Sequence, residues 1–151
     1  MRSGHVIGRG LALVLTGLAF AACAARETRT EPSLYQRLGG RDAISGVVDE
    51  FVANVVKDDR INARFKTLQP PQVAKLKTNL SDQICAGSGG PCAYLGKDMK
   101  TAHEGMKITE AEWSATVEAL VKALDKFQVP AKEKGELLAL LGPMKKDIVG
   151  Q

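Results

Sequence analysis

Between Arg41 and Lys57 apolar residues recur three and four positions apart: Ile44, Val47, Val48, Phe51, Val52, Val55 and Val56. That spacing draws one stripe along a helix. The valines in it lower intrinsic helix propensity, so the helix depends on burying the stripe rather than on its own backbone preference. "LGG" at 38–40 breaks the chain ahead of it, and Asp58 with Asp59 mark its end. Pro70 and Pro71 suit a first helical turn, where a missing amide proton costs little. Val73, Leu76, Leu80 and Ile84 continue at helical spacing until "GSGG" stops them. "TEAE", from Thr109 to Glu112, is a capping box, and behind it Trp113, Val117, Leu120, Val121 and Leu124 form a core face. Pro130 opens a last helix whose apolar positions are Leu137, Leu138, Leu141, Met144 and Ile148.

No sustained alternating run of the kind a strand needs is found. The pattern therefore predicts an all-α domain of four substantial helices, with short pieces around Leu34 and Ile61. The longest irregular stretch runs from Ala86 to Asp98. The length after Leu34 suits one small domain with a single core.

The first residues follow a different pattern. Arg2 and Arg9 precede an uncharged apolar run from Leu11 to Ala22, about half the length of a membrane-spanning helix. A basic start, a short apolar centre and small residues at its end describe a secretory signal. The expected organisation is a signal peptide over 1–22, a polar tether over 23–32 and a domain over 33–151. The cysteine after "FAA" resembles a lipoprotein signal, in which cleavage precedes a cysteine that receives lipid, although Phe20 stands where such signals usually carry leucine. Cys23 is the candidate lipidation site, with ordinary cleavage between Ala22 and Ala25 as the alternative. The expected location is the periplasm, with a lipid anchor to the cell envelope. Losing Arg2 and Arg9 lowers the formal charge from +4 to +2. Lysines and acids are interspersed, with no basic block interleaved with aromatics, so nucleic acid is not an expected partner.

Of the two histidines, His5 lies in the expected signal and His103 lies in "MKTAHEGM". A lone histidine offers no partner for a histidine dyad or a zinc site. On pattern alone a surface or half-buried histidine is the commoner reading, and metal ligation the rarer one. Cys85 and Cys92 flank "AGSGGP". An exported chain permits a disulfide, and closing so short a loop would contribute about 2 to 3 kcal/mol on the chain-entropy model. Two unrelated thiols are the alternative, because spacing does not fix bond geometry. No CxxCH run is present, so covalent c-type haem attachment is not indicated.

Four segments in order, "LYQRLGGRDAISGVVDEFVANVVKDDRINARF", "GGPCAYLGKDMKTAH", "ITEAEW" and "VPAKEKGELLALLGPMKKDIV", resemble the truncated haemoglobins of group I. These are short globins built as a two-over-two helical sandwich, and the resemblance covers residues 33 to 149. It implies non-covalent haem b, with His103 as the proximal iron ligand and the opposite position open to oxygen, carbon monoxide or nitric oxide. It also implies that Phe65 packs on the haem ring and that Phe51, Leu76, Leu80, Ile84, Met99 and Val117 form pocket walls. Lys75 and Tyr94 occupy positions that can offer a charge and a hydroxyl to the haem propionates; Lys75 reads equally well as a solvated helix face.

One departure is informative. Many members carry a tyrosine that donates to bound oxygen where this chain has Val52, and often glutamines where it has Leu76 and Leu80. A donor to an anionic acceptor is worth roughly 1.5 to 3 kcal/mol. Its loss speeds oxygen release by roughly ten to a hundredfold. The distal pocket of Val52, Leu76 and Leu80 is therefore expected to favour oxygen less over carbon monoxide, and nitric oxide is a credible ligand. Gln83 is the nearest polar candidate, three residues beyond Leu80, but its place at the end of the turn favours solvent over pocket.

Reversible gas binding for storage, delivery or sensing is the leading expectation. The enzymatic alternative is nitric oxide dioxygenation, which needs a separate reductase because the chain has no flavin or nicotinamide domain. A peroxidase role is weaker, since the pocket offers no evident acid or base. A third class is a haem-free envelope lipoprotein that binds another protein, for which the mature domain would be colourless.

Overall fold

The computed structural model describes residues 31–151. The expected signal peptide, Cys23 and most of the tether lie outside the described residues. Six α-helices follow in order: α1 (Leu34–Arg37), α2 (Gly40–Lys57), α3 (Pro70–Gly87), α4 (Met99–His103), α5 (Glu110–Lys126) and α6 (Ala131–Leu141). Single 3₁₀ segments span Asn62–Arg64 and Gly142–Asp147. Among the described residues the only extended pairing is one parallel bridge between Ile108 and Val149, so the regular structure is helical.

α2 is the central element and packs on both α3 and α5. The chain enters it from α1 through Gly39 and Gly40, whose φ values of 92° and 77° lie in the left-handed region. Only glycine adopts that conformation without strain, and it lets two residues reverse the chain. Arg37, at the end of α1, donates to Glu133 at 2.7 Å and also pairs with Glu136, which ties α1 to α6.

The main core joins Ile44, Val47 and Val48 of α2 to Ile84 and Cys85 of α3, Ala123 and Leu124 of α5 and Leu137 of α6. A second cluster contains Val55, Ile61, Ala115 and Ala119. Phe51 packs against both clusters and Phe65 against the second. A gap of about 10 Å³ between Ile44, Ile84, Leu124 and Leu137 is about the volume of one water, so this core is closed to any larger molecule.

Three details differ from the pattern. Val56, taken into the α2 stripe, is 48 % exposed, because a residue next in sequence to Val55 lies 100° around the helix from it. The last helix does not run to Ile148 but stops at Leu141 and continues as a 3₁₀ segment. Pro143 has no amide proton to give and its ring clashes with the preceding turn. On α5 the buried residues are Ala115, Ala119, Ala123 and, of the expected core face, Leu124, whereas Trp113, Val117, Leu120 and Val121 are only half-buried. Small side chains let α2 and α5 approach closely, and Asn54 Nδ2 donates to the Ala119 carbonyl across that contact at 3.3 Å.

Candidate functional site

α3 and α5 each carry a buried face and a second, half-buried face. On α3, Ser81, Ile84 and Cys85 are buried, while Leu76, Leu80 and Gln83, spaced i, i+4 and i+7, are half-buried. On α5 the buried alanines lie on one face, and Val117, Leu120 and Val121 are half-buried on another. Phe51, Phe65 and Met99 are half-buried as well. Large apolar side chains left partly uncovered beside a closed core are what a cleft for a flat apolar cofactor requires. Val52 and Ile84 are each 5 % exposed and stand further in. Lys75 is exposed on α3.

α4 is five residues long and contains no buried residue. Asp98 caps it by accepting from the Thr101 amide at 2.9 Å. At its other end, His103 Nδ1 lies 2.8 Å from the Met99 carbonyl oxygen. A carbonyl only accepts, so Nδ1 carries the proton and Nε2 keeps the lone pair. This is how proteins orient a metal-binding histidine and fix its tautomer. The half-buried stripes and this free Nε2 together fit an iron porphyrin.

The loop ahead of α4 is anchored to α3. Cys85 and Cys92 are joined, with Cα atoms 5.8 Å apart, and this leaves neither thiol free to attach a haem covalently. A side chain at Gly90 would put its Cβ 2.5 Å from the Tyr35 ring and 2.6 Å from Cys85 Sγ, so only glycine lets the loop pass. Arg41 Nη1 stands 3.0 Å from Cys92 Sγ and 2.6 Å from Asp82. Further along, the Tyr94 hydroxyl donates to the Lys97 carbonyl at 2.6 Å. Burial, with the nearby Asp98 carboxylate, raises the tyrosine pKa, so the phenol keeps its proton and the loop its bond. Tyr94 thus spends its proton within the loop.

Gln83 does not face solvent. Its Nε2 donates to Met99 Sδ at 3.4 Å and to Met144 Sδ at 3.6 Å. It brings α3, the first residue of α4 and the C-terminal 3₁₀ segment together. Its acceptors come from segments 16 and 61 residues away, so no local pattern announces this.

The turn that carries Phe65 also braces the loop after His103. Arg64 donates to the Met106 carbonyl at 2.7 Å and binds both oxygens of Glu112, at 2.6 and 3.0 Å. Glu112 accepts from the Thr109 amide too, at 2.8 Å. The Arg64 guanidinium first, and the Thr109 amide second, hold the Glu112 carboxyl down at about 2.

Residues 33–149 match the bacterial-like globin family, and the chain belongs to it. It is 30 % identical over 123 residues to a group 1 truncated haemoglobin of Tetrahymena thermophila, covering 82 % of this chain and 99 % of that protein. It is 31 % identical over 125 residues to the group 1 truncated haemoglobin GlbN of Mycolicibacterium paratuberculosis, covering 82 % and 90 %. The crystal structure of the truncated haemoglobin of Tetrahymena pyriformis in its Fe(III) form superposes with a TM-score of 0.74 at 28 % identity, over 80 % of this chain and all of that one. The fold is the two-over-two globin sandwich. As a member of this family the protein binds haem with its iron, without a covalent link, and takes diatomic gases as ligands.

The Glu112 carboxyl titrates near 4.5 when unpaired and about 2 in the fold. Its pairing therefore contributes stability that is complete above pH 4.5 and is lost as pH falls toward 2. Glu112→Gln should lower the melting temperature at pH 7 and flatten the decline in stability over that range. Thermal melts between pH 2 and 7 check this; an unchanged slope contradicts it.

Proposed function

We propose that this chain is an exported globin in which His103 holds the haem iron and the distal pocket offers gas ligands no strong hydrogen-bond donor. The observation that carries the reading is the 2.8 Å contact from His103 Nδ1 to the Met99 carbonyl, which leaves Nε2 as a directed base. Haem held by His103 would supply an iron able to take oxygen, carbon monoxide or nitric oxide. Phe65 and Phe51 would pack on the macrocycle, and Leu76, Leu80, Met99 and Val117, with Ile84 behind them in the core, would enclose it and exclude water. Lys75, exposed on α3, would be the cation for a propionate. Tyr94, whose proton goes to Lys97, has only its hydroxyl oxygen left to accept a bond, so it serves the rim mainly by holding the loop. Val52, Leu76 and Leu80 line the ligand side, and none has a polar hydrogen.

The composition of residues 1–25 supports an envelope location with lipid on Cys23, and the permitted disulfide in an exported chain agrees with it.

His103→Gly should lose the Soret band of the haem-loaded protein and regain it with added imidazole, read by visible absorption. A variant whose spectrum is unchanged without imidazole refutes the assignment. Leu80→Gln should slow oxygen dissociation by roughly ten to a hundredfold, as measured by stopped flow. Cys23→Ser should move the protein from the membrane fraction to the soluble periplasmic fraction of a bacterial host, as followed by immunoblot; an unchanged distribution rules out the lipid anchor.

A further inference from the structure

α4 is too short to stand alone, since an isolated helix of five residues does not form in water, and none of its residues is buried. Its position is therefore set by what grips it. Met99 makes two contacts, one within α4 and one to α3. Its carbonyl accepts the His103 ring proton at 2.8 Å, and its sulfur accepts the Gln83 amide at 3.4 Å.

Gln83 is a firm post for that second bond. It is followed by Ile84, 5 % exposed, and by Cys85, fully buried and bonded to Cys92. The two amide protons on Nε2 are shared between Met99 and Met144, so the same side chain fixes the start of α4 against the C-terminal 3₁₀ segment. A thioether is a weak acceptor, but a half-buried amide without it would leave donors unpaired. A shift of Met99 carries its carbonyl, and the imidazole follows the carbonyl.

We propose that Gln83 is a positioning residue for the proximal histidine, acting through Met99 to set the placement of the His103 imidazole against the iron. This rests on the reading that His103 is the iron ligand.

The test is the iron–histidine stretching frequency of the ferrous, ligand-free holoprotein, measured by resonance Raman. Gln83→Met keeps an unbranched side chain of similar length and removes the donor; Gln83→Glu keeps the shape and loses the amide protons. Both should shift the band from its wild-type position. Met99→Leu removes the sulfur but not the carbonyl, and should shift it too. The double variant Gln83→Met with Met99→Leu should shift it no further than the larger single change, because the two residues act through one contact. In His103→Gly loaded with imidazole the ligand is no longer tied to α4, so there Gln83→Met should leave the iron–imidazole band where it is.

An equal shift in the imidazole-bound background would mean that Gln83 acts on the haem directly, and would overturn the proposal. So would an unmoved band in all three single variants. Should Gln83→Met fail to retain haem, Met99→Leu carries the test alone, and an unmoved band there overturns it. If His103→Gly keeps the wild-type band without imidazole, the assignment of the proximal ligand fails, and this proposal with it. The first two outcomes leave that assignment standing.

Discussion

A neutral imidazole has one proton and one lone pair, and the contact from His103 Nδ1 to the Met99 carbonyl decides where each of them goes. Met99 and His103 are the first and last residues of α4, so the contact spans the whole helix and turns its geometry into the direction of a lone pair. Whatever moves α4 also moves that direction. The disulfide and the glycine passage at Gly90 fix the approach from one side. On the other side, Arg64 holds the Met106 carbonyl. Gln83 closes the set from α3. Burial does not hold this five-residue helix, so polar bonds at both its ends and to α3 take that part.

The larger helices are held by packing, and they divide their surfaces accordingly. α3 and α5 turn one stripe to α2 and keep a second, larger apolar stripe half-exposed. That second stripe keeps part of its surface in water, and a flat apolar group that covers it gains roughly 25 cal/mol per Å² removed from water. Binding haem therefore adds to the stability of the folded state as well as supplying chemistry. In a domain this size the cofactor completes the core.

The valine stripe of α2 and the proline and glycine boundaries were readable in the sequence because they rest on local rules: 3.6-residue periodicity and the two residues with special backbones. The alanine face of α5 was not readable, because a search for large apolar residues passes over Ala115, Ala119 and Ala123, and their value is in how closely they let α2 approach. The end of α6 was legible in Gly142 and Pro143 but was overridden by apolar residues that continue at near-helical spacing. His103 stood out through its resemblance to globins and through being the lone histidine of the domain, whereas its tautomer required the Met99 carbonyl in place. The inward turn of Gln83 depended on two sulfurs brought from elsewhere in the chain, and no reading of neighbours along one helix contains them.

Under the proposed assignment, polar control in this site is asymmetric. The ligand-side positions Val52, Leu76 and Leu80 are aliphatic, so a bound gas meets dispersion and shape there rather than a donor. Oxygen depends most on a donor, because charge accumulates on its outer atom, and a charge-assisted hydrogen bond is worth about 1.5 to 3 kcal/mol. Carbon monoxide and nitric oxide lose little without one. The amide protons of Gln83 are directed at Met99, on the helix that carries the histidine, and at Met144 of the C-terminal 3₁₀ segment. The residues that differ between this pocket and a strongly oxygen-retaining one thus shift control of the iron from the ligand face to the histidine face. Oxygen retention then falls with the missing donor, and the placement of the His103 imidazole is left to the contacts that hold α4.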